Sequence, residues 1–265
     1  MMRLPILVVV SFLFFNACSN KLTIDIEEEI TQTEIPDTIR IGQWNVFMFG
    51  IRDNVWGIPK ETYLEDFNHV KSVLSLLKAD VVFLNEFNEY LDQGKSVSAY
   101  NALFTEYPYF VKGGSYCAIA SKFPISIKVV SFASRSFLLG TMRLGDIIVG
   151  VACIHPIPDF SSNSIIERIQ DHYKVIDYLK SYQCSIIAGD FNTKEDFELD
   201  VYKENGYVFC NRGDFGTFVT FPSDHRSLDN IMIKGLTVLS CTVINDAAVS
   251  DHYPSLATVD ASSRH

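Results

Sequence analysis

Positive charge is scarce in this chain. It carries 22 Lys and Arg against 32 Asp and Glu, a net charge of −10, so a broad basic surface for nucleic-acid phosphates is not evident. This weakens a nucleic-acid reading without excluding it, since metal ions can supply local positive charge. No basic loop with interleaved aromatics stands out. No CxxC pair is present, which removes the commonest zinc signature. No apolar run is long enough to cross a bilayer, and no linker or composition shift divides residues 38–260. They read as one domain with ample apolar content, 48% of the whole sequence.

What is present begins with a leader. Arg3 precedes an apolar run from Leu4 to Phe15, roughly a dozen residues, which fits a signal-peptide core. Asn16, Ala17 and Cys18 follow. A small residue directly before Cys resembles a bacterial lipoprotein signal covering residues 1–17, with Cys18 as the lipidated residue, although Phe15 and Asn16 depart from its strictest form. The other reading is an ordinary signal peptide cut near Ala17. Either one takes the protein out of the cytoplasm, and the first places it in the cell envelope as an outer-membrane lipoprotein. Residues 18–37, with Glu27-Glu28-Glu29, read as an acidic tether. Residues 261–265 read as a tail. Five cysteines remain, an odd number, and are read as structural with room for one disulfide.

The domain opens with a strand from Ile39 to Phe49. A helix from Thr62 to Leu77 follows, with a Thr62-x-x-Glu65 capping box and apolar residues at Phe67, Val70, Leu74 and Leu77. Val81–Leu84 is the next strand. This is a βαβ unit, so its strands should be parallel. Four strands between Tyr116 and Ile154 look like an antiparallel meander. A second βαβ unit runs from the strand ending at Ile154, through a helix capped at Ser164-x-x-Glu167, to Ser185–Ala188. Short strands are expected at Thr217–Phe221, Leu228–Ile233, Leu236–Val243 and Ser255–Val259. The pattern predicts an α/β fold of two mixed sheets packed face to face, with helices outside.

Polar residues cluster where these strands end. Gly189-Asp190-Phe191-Asn192 follows an apolar strand, and the glycine is expected to allow a tight turn. Asn45, Glu86, His155 and Ser250-Asp251-His252 occupy similar places. Taken singly, Asn45 suits a turn, Asn192 or Thr193 could cap a short helix over Asp196–Val201, and His155 could be an ordinary core residue. Asp229 differs, because it sits between apolar strand residues, where an unpaired charge is costly. Taken together, carboxylates and Asn oxygens make a hard, oxygen-rich site suited to Mg²⁺, Mn²⁺ or Ca²⁺. Two histidines beside them suit proton transfer or phosphate binding.

The order Gln-Trp-Asn45, Phe-Leu-Asn-Glu86, Ala-Ile-Ala-Ser-Lys-Phe-Pro, Ile-His155-Pro, Ala-Gly-Asp190-Phe-Asn192, Leu-Asp229-Asn and Ser-Asp251-His252 resembles the endonuclease/exonuclease/phosphatase superfamily over residues 38–260. The resemblance implies a four-layer α/β sandwich and divalent-metal-dependent phosphoester cleavage, with Mg²⁺ or Mn²⁺ as the metal and Ca²⁺ as a third candidate. By position it implies that Glu86 holds the metal, with Asn45 and Asp251 assisting. His252, oriented by Asp229, would be the general base or the main phosphate-polarising group. His155 would donate to a phosphate oxygen, and Asp190 with Asn192 would position the water and the scissile phosphate. Thr220 resembles a phosphate-contacting threonine, with Thr217 as its competitor. Asn230 departs from the family, standing where Tyr or His is common. The expected partners are a phosphoester, whether DNA, RNA, a phospholipid such as sphingomyelin or an inositol phosphate, and a membrane reached through the N-terminal lipid. The protein is expected to be a monomer. The contrasting reading is a non-catalytic surface lipoprotein that uses the fold to bind a phosphorylated ligand or a protein.

Overall fold

Two short apolar segments, Thr38–Asn45 (β1) and Val81–Asn85 (β2), lie side by side as parallel strands. Parallel neighbours need a crossover, and helix α1 (Tyr63–Leu77) supplies it. Phe67, Val70, Leu74 and Leu77 of α1 pack with Trp44, Val82 and Leu84 on the outer face of these strands. The protein was characterised as a computed structural model, which describes residues 36–47, 63–87, 99–245 and 250–264. The expected cap Thr62, the leader and Cys18 lie outside the described residues.

β2 is followed by a short helix α2 (Ala99–Leu103) and strands β3 (Tyr109–Gly113) and β4 (Cys117–Ser121). With β11 (Leu236–Val243) and β12 (Ser255–Arg264) they complete a six-stranded sheet in the order β11-β12-β1-β2-β4-β3. The second sheet holds β5 (Ile125–Ser131), β6 (Ser136–Leu144), β7 (Ile147–Ile154), β8 (Cys184–Asp190), β9 (Val208–Phe209) and β10 (Asp229–Lys234), in the order β5-β6-β7-β8-β10-β9. β7 and β8 are its parallel pair, joined by helix α3 (Ser162–Leu179). The sheets pack face to face through Ile41, Phe83 and Ile119 on one side and Val151, Ile186 and Ile231 on the other. Val175, Ile176 and Leu179 of α3 cover the outer face of the second sheet. This is the α/β sandwich expected from the sequence.

Several details differ from that expectation. The meander is split, because β4 joins the first sheet while β5, β6 and β7 form antiparallel neighbours in the second. Pro124 stands at the crossing and has no N–H with which to extend a ladder. Thr217–Phe221 is not a strand but a loop, with an isolated bridge between Phe221 and Arg226. β12 runs on to Arg264, and Ala261 is buried in the inter-sheet core, so the chain past residue 260 is strand rather than tail. The cap of α3 is Ser161, whose hydroxyl accepts the Ser164 N–H. The 3-10 turn Asp196–Leu199 and helix α4 (Asp200–Glu204) follow Glu195, and neither Asn192 nor Thr193 caps them. Cys210 and Cys241 are joined in a disulfide, and Cys117, Cys153 and Cys184 are buried thiols.

Candidate active site

The two parallel pairs end at the same edge of the sandwich, and β10 starts beside the end of β8, with Asp229 opposite Asp190. The backbone at this edge is unusual. Phe47, Glu86 and Asn192, just past β1, β2 and β8, have φ of 49°, 52° and 50°. For residues with a Cβ this left-handed conformation costs roughly 1–2 kcal/mol each, and such residues gather at functional sites. Gly189 is not the turn glycine the sequence suggests. It lies inside β8 at φ 154°, where a Cβ would sit 2.0 Å from the Ile154 carbonyl oxygen.

His252 and Asp229 form the centre of the site. His252 Nδ1 is 2.6 Å from Asp229 Oδ2, and Gln43 Nε2 donates to Asp229 Oδ1 at 2.7 Å. Three further contacts hold the residue, two through its backbone and one through its ring. Trp44 Nε1 donates to the His252 carbonyl at 2.8 Å, the His252 N–H donates to Ser250 Oγ at 3.1 Å, and the Phe221 ring meets the imidazole edge-on at 4.9 Å. Burial disfavours charge on this ring, but the Asp229 and Asp190 carboxylates outweigh it and push the pKa up to about 10. The shift favours the imidazolium, and of the two expected roles a charged ring suits phosphate polarisation.

Asp190 faces the same space from β8. Its Oδ2 is 3.7 Å from His252 Nε2 and accepts from Asn45 Nδ2 at 3.1 Å. Its Oδ1 accepts the Asn192 N–H at 2.9 Å, and its own N–H donates to Asn85 Oδ1 at 2.8 Å. The Asn192 side chain donates to the Pro156 carbonyl at 3.1 Å, which ties it to the loop after His155.

His155 lies across from His252, its Nε2 3.8 Å from both Glu86 Oε1 and Asp190 Oδ2. Burial lowers its pKa to about 4, with Asp190 opposing and Arg135 reinforcing the shift. The neutral ring donates from Nδ1 to the Ser115 carbonyl at 3.2 Å, leaving a lone pair on Nε2. That tautomer does not offer the expected donor to a phosphate oxygen. The Arg135 guanidinium lies against this ring, its Nη1 3.2 Å and 3.4 Å from the two ring nitrogens.

Thr220 is placed differently from its expected role. It is fully buried, and its Oγ1 accepts the N–H groups of Leu228 and Asp229 at 2.9 and 3.0 Å. It supports the backbone under Asp229 rather than facing a substrate. Its competitor Thr217 is exposed and lines a cavity of about 540 Å³ with Phe218 and Tyr253.

The donor set fits a hard cation. Asp251 is half-buried, and its pKa is raised to about 6 by burial and by the charges of Glu86 and Asp190, against the pull of His252. Crowded carboxylate charge of this kind is what a divalent ion relieves. Ligand atoms of Asp190, Asp229 and His252 also lie within 4.8 Å of one another. The His252–Asp229 hydrogen bond already uses two of those groups, however. Glu86, whose charge acts on Asp251, and Asn45 Oδ1, which among the described residues accepts only the Phe47 N–H at 3.0 Å, are further oxygens at this edge.

Gln43, Asn85 and Arg135 were not singled out by sequence reasoning. Gln43 and Asn85 carried a usable signal, polar amides inside apolar strands, which is the signal that marked Asp229. Arg135 sits in an ordinary polar turn and carried none.

Comparison with solved structures finds the same fold at low identity. A protein described as an endonuclease/exonuclease/phosphatase from Beutenbergia cavernae aligns with TM-score 0.66 and 16% identity over 85% of this chain and 72% of its own. One from Bacteroides vulgatus aligns with TM-score 0.63 and 16% identity over 84% and 99%. D. rerio TDP2, complexed with single strand DNA product, aligns with TM-score 0.60 and 17% identity over 84% and 99%. No curated protein sequence matches the chain. The family model described as "Endonuclease/Exonuclease/phosphatase family" matches residues 42–252, from β1 to the imidazole at the centre of the site, and the chain belongs to that family.

Proposed function

We propose that this protein is a divalent-metal-dependent phosphoester hydrolase. The observation that carries the reading is the His252–Asp229 pair at 2.6 Å with Asp190 3.7 Å from the same imidazole. Family membership and the DNA product bound by the D. rerio relative support a phosphoester as substrate.

Asp190 is the water-activating group in this scheme. The Asn192 N–H and Asn45 amide hold its two oxygens in fixed directions, so it can orient a water and accept its proton. The His252 imidazolium and the Arg135 guanidinium face the phosphate oxygens and stabilise the charge that grows there, the preorganised electrostatics on which phosphoryl transfer depends. Asp229 and Gln43 keep the imidazole charged and oriented. A divalent ion held by Glu86, Asp251 and Asn45 would add Lewis-acid polarisation of a phosphoryl oxygen.

The protein acts as a monomer outside the cytoplasm, held at a bacterial envelope membrane by a lipid on Cys18. The Cys210–Cys241 disulfide supports an oxidising compartment.

Hydrolysis of an aryl phosphodiester tests the reading. Activity is expected with Mg²⁺ or Mn²⁺ and lost in chelator, and His252→Ala should remove about two orders of magnitude, the usual range for such groups. Full activity in chelator or in the variant refutes it. A panel of plasmid DNA, RNA, sphingomyelin and inositol phosphates then assigns the substrate. Cys18→Ser should release the protein from membranes, and unchanged attachment refutes lipidation there.

A further inference from the structure

The first half of α3 buries polar groups where an amphipathic helix would bury apolar ones. Ile165 and Ile169 are only half-buried, while Arg168, Asp171 and His172 are fully buried. Arg168 is spent on Glu198, at 2.7 Å, and on the Ile157 and Asp159 carbonyls. Asp171 is different. Every hydrogen bond it makes among the described residues goes to the turn between β5 and β6. Its Oδ1 accepts the Ala133 N–H at 2.8 Å, and its Oδ2 accepts the Ser134 N–H at 3.1 Å and the Ser134 hydroxyl at 2.5 Å. The next residue is Arg135, whose guanidinium crosses His155.

A buried carboxylate is costly to desolvate, and the turn could satisfy its N–H groups with water, since Ala133 is exposed and Ser134 half-buried. The turn itself closes without Asp171, through the Phe132 N–H to the Arg135 carbonyl at 2.9 Å and a Phe132–Phe137 ring contact at 4.7 Å. What the carboxylate adds is a fixed position for the turn relative to the second sheet and hence for Arg135. Three bonds from one rigid helix leave the turn little freedom to swing. The far side of Arg135 is bounded as well, because the Ser115 N–H donates to the Ser136 carbonyl at 2.8 Å while the Ser115 carbonyl holds His155.

We propose that Asp171 is a positioning residue, a carboxylate on an outer-layer helix that clamps the β5–β6 turn so that Arg135 stands across His155 at the phosphate site. The proposal rests on the phosphoesterase reading for the role of Arg135. It belongs to a double-mutant cycle, because two residues acting as one unit give non-additive losses. Asp171→Asn should lower kcat/KM on an aryl phosphodiester about tenfold, chiefly through KM, and Arg135→Ala by at least as much. In the Arg135→Ala background, Asp171→Asn should change kcat/KM less than about twofold, although it still lowers the melting temperature. Should Asp171→Asn fail to fold, Ser134→Ala removes only the hydroxyl bond and should give a smaller loss that again vanishes without Arg135. Binding of inorganic phosphate by calorimetry repeats the cycle without turnover. Wild type that binds phosphate with this coupling, yet hydrolyses no phosphoester, supports the clamp and refutes the proposed activity. An Asp171→Asn protein that binds phosphate like wild type, or that adds its full loss to that of Arg135→Ala, overturns the clamp.

Discussion

At the scale of single residues, the two site histidines titrate in opposite directions, and each shift has a measurable sign. The folded pKa of His252 is raised to about 10. Its contribution to stability is therefore present below its ordinary value of about 6.5 and is lost as pH rises through about 10. Activity that needs the imidazolium should fall along the same alkaline limb. Asp229→Asn removes the charge nearest the ring, so the limb should move down toward neutrality, and a pH–rate profile of wild type and variant reads the displacement. An unmoved limb would show that Asp229 is not what keeps the ring charged. His155, lowered to about 4, and His172, lowered to about 3 by burial and by Arg168, work the other way. The unfolded chain binds protons at these positions that the native state refuses, so stability present above about 6.5 is lost as pH falls toward 4. Melting temperatures across pH 4–7 should decline on the acid side, and His172→Phe should flatten that decline.

At the scale of elements, most of what positions the site could be read from the sequence. Both βαβ units were legible because helix and strand periods differ, and because a crossover helix imposes parallel neighbours. Asp229 was legible because a lone charge in an apolar strand needs a reason. The left-handed residues past β1, β2 and β8 were not, since no local pattern announces positive φ at Phe47, Glu86 or Asn192. Thr217–Phe221 misled because it is made of the aromatic and β-branched residues that favour strands, yet its polar Thr220 is buried and serves the backbone at Asp229. Edge strands β3 and β9 were missed because a short, half-exposed strand has little pattern to read. Gly189 supplies the sharpest test at this scale. A Cβ there would lie 2.0 Å from the Ile154 oxygen, and the obstacle is backbone, so β7 and β8 must separate to admit it. Gly189→Ala should therefore cost more than the roughly 1 kcal/mol of an average point substitution and lower kcat as Asp190 shifts. A denaturation midpoint close to wild type would contradict this.

At the scale of the whole molecule, the disulfide between Cys210 and Cys241 joins the residue just past β9, at the edge of one sheet, to β11, at the edge of the other. It closes a span of 31 residues. A loop of that length is worth about 3–4 kcal/mol in the chain-entropy treatment, so Cys210→Ser with Cys241→Ser should lower stability by that order, with reductant mimicking the variant in denaturant titrations. Beside the apolar core between the sheets, polar ties at the site also cross from one to the other. Gln43 and Asn45 of one sheet reach Asp229 and Asp190 of the other, and Asn85 takes the Asp190 N–H while donating to the Ile154 carbonyl at 2.9 Å. These amides have a consequence for the order of assembly. Neither sheet alone contains a site, and the ties can close only once the two have docked, so they should be absent from the folding transition state. Asn85→Ala should consequently speed unfolding while leaving the refolding rate nearly unchanged, and catalytic competence should be the last property to return when the denatured chain is allowed to renature.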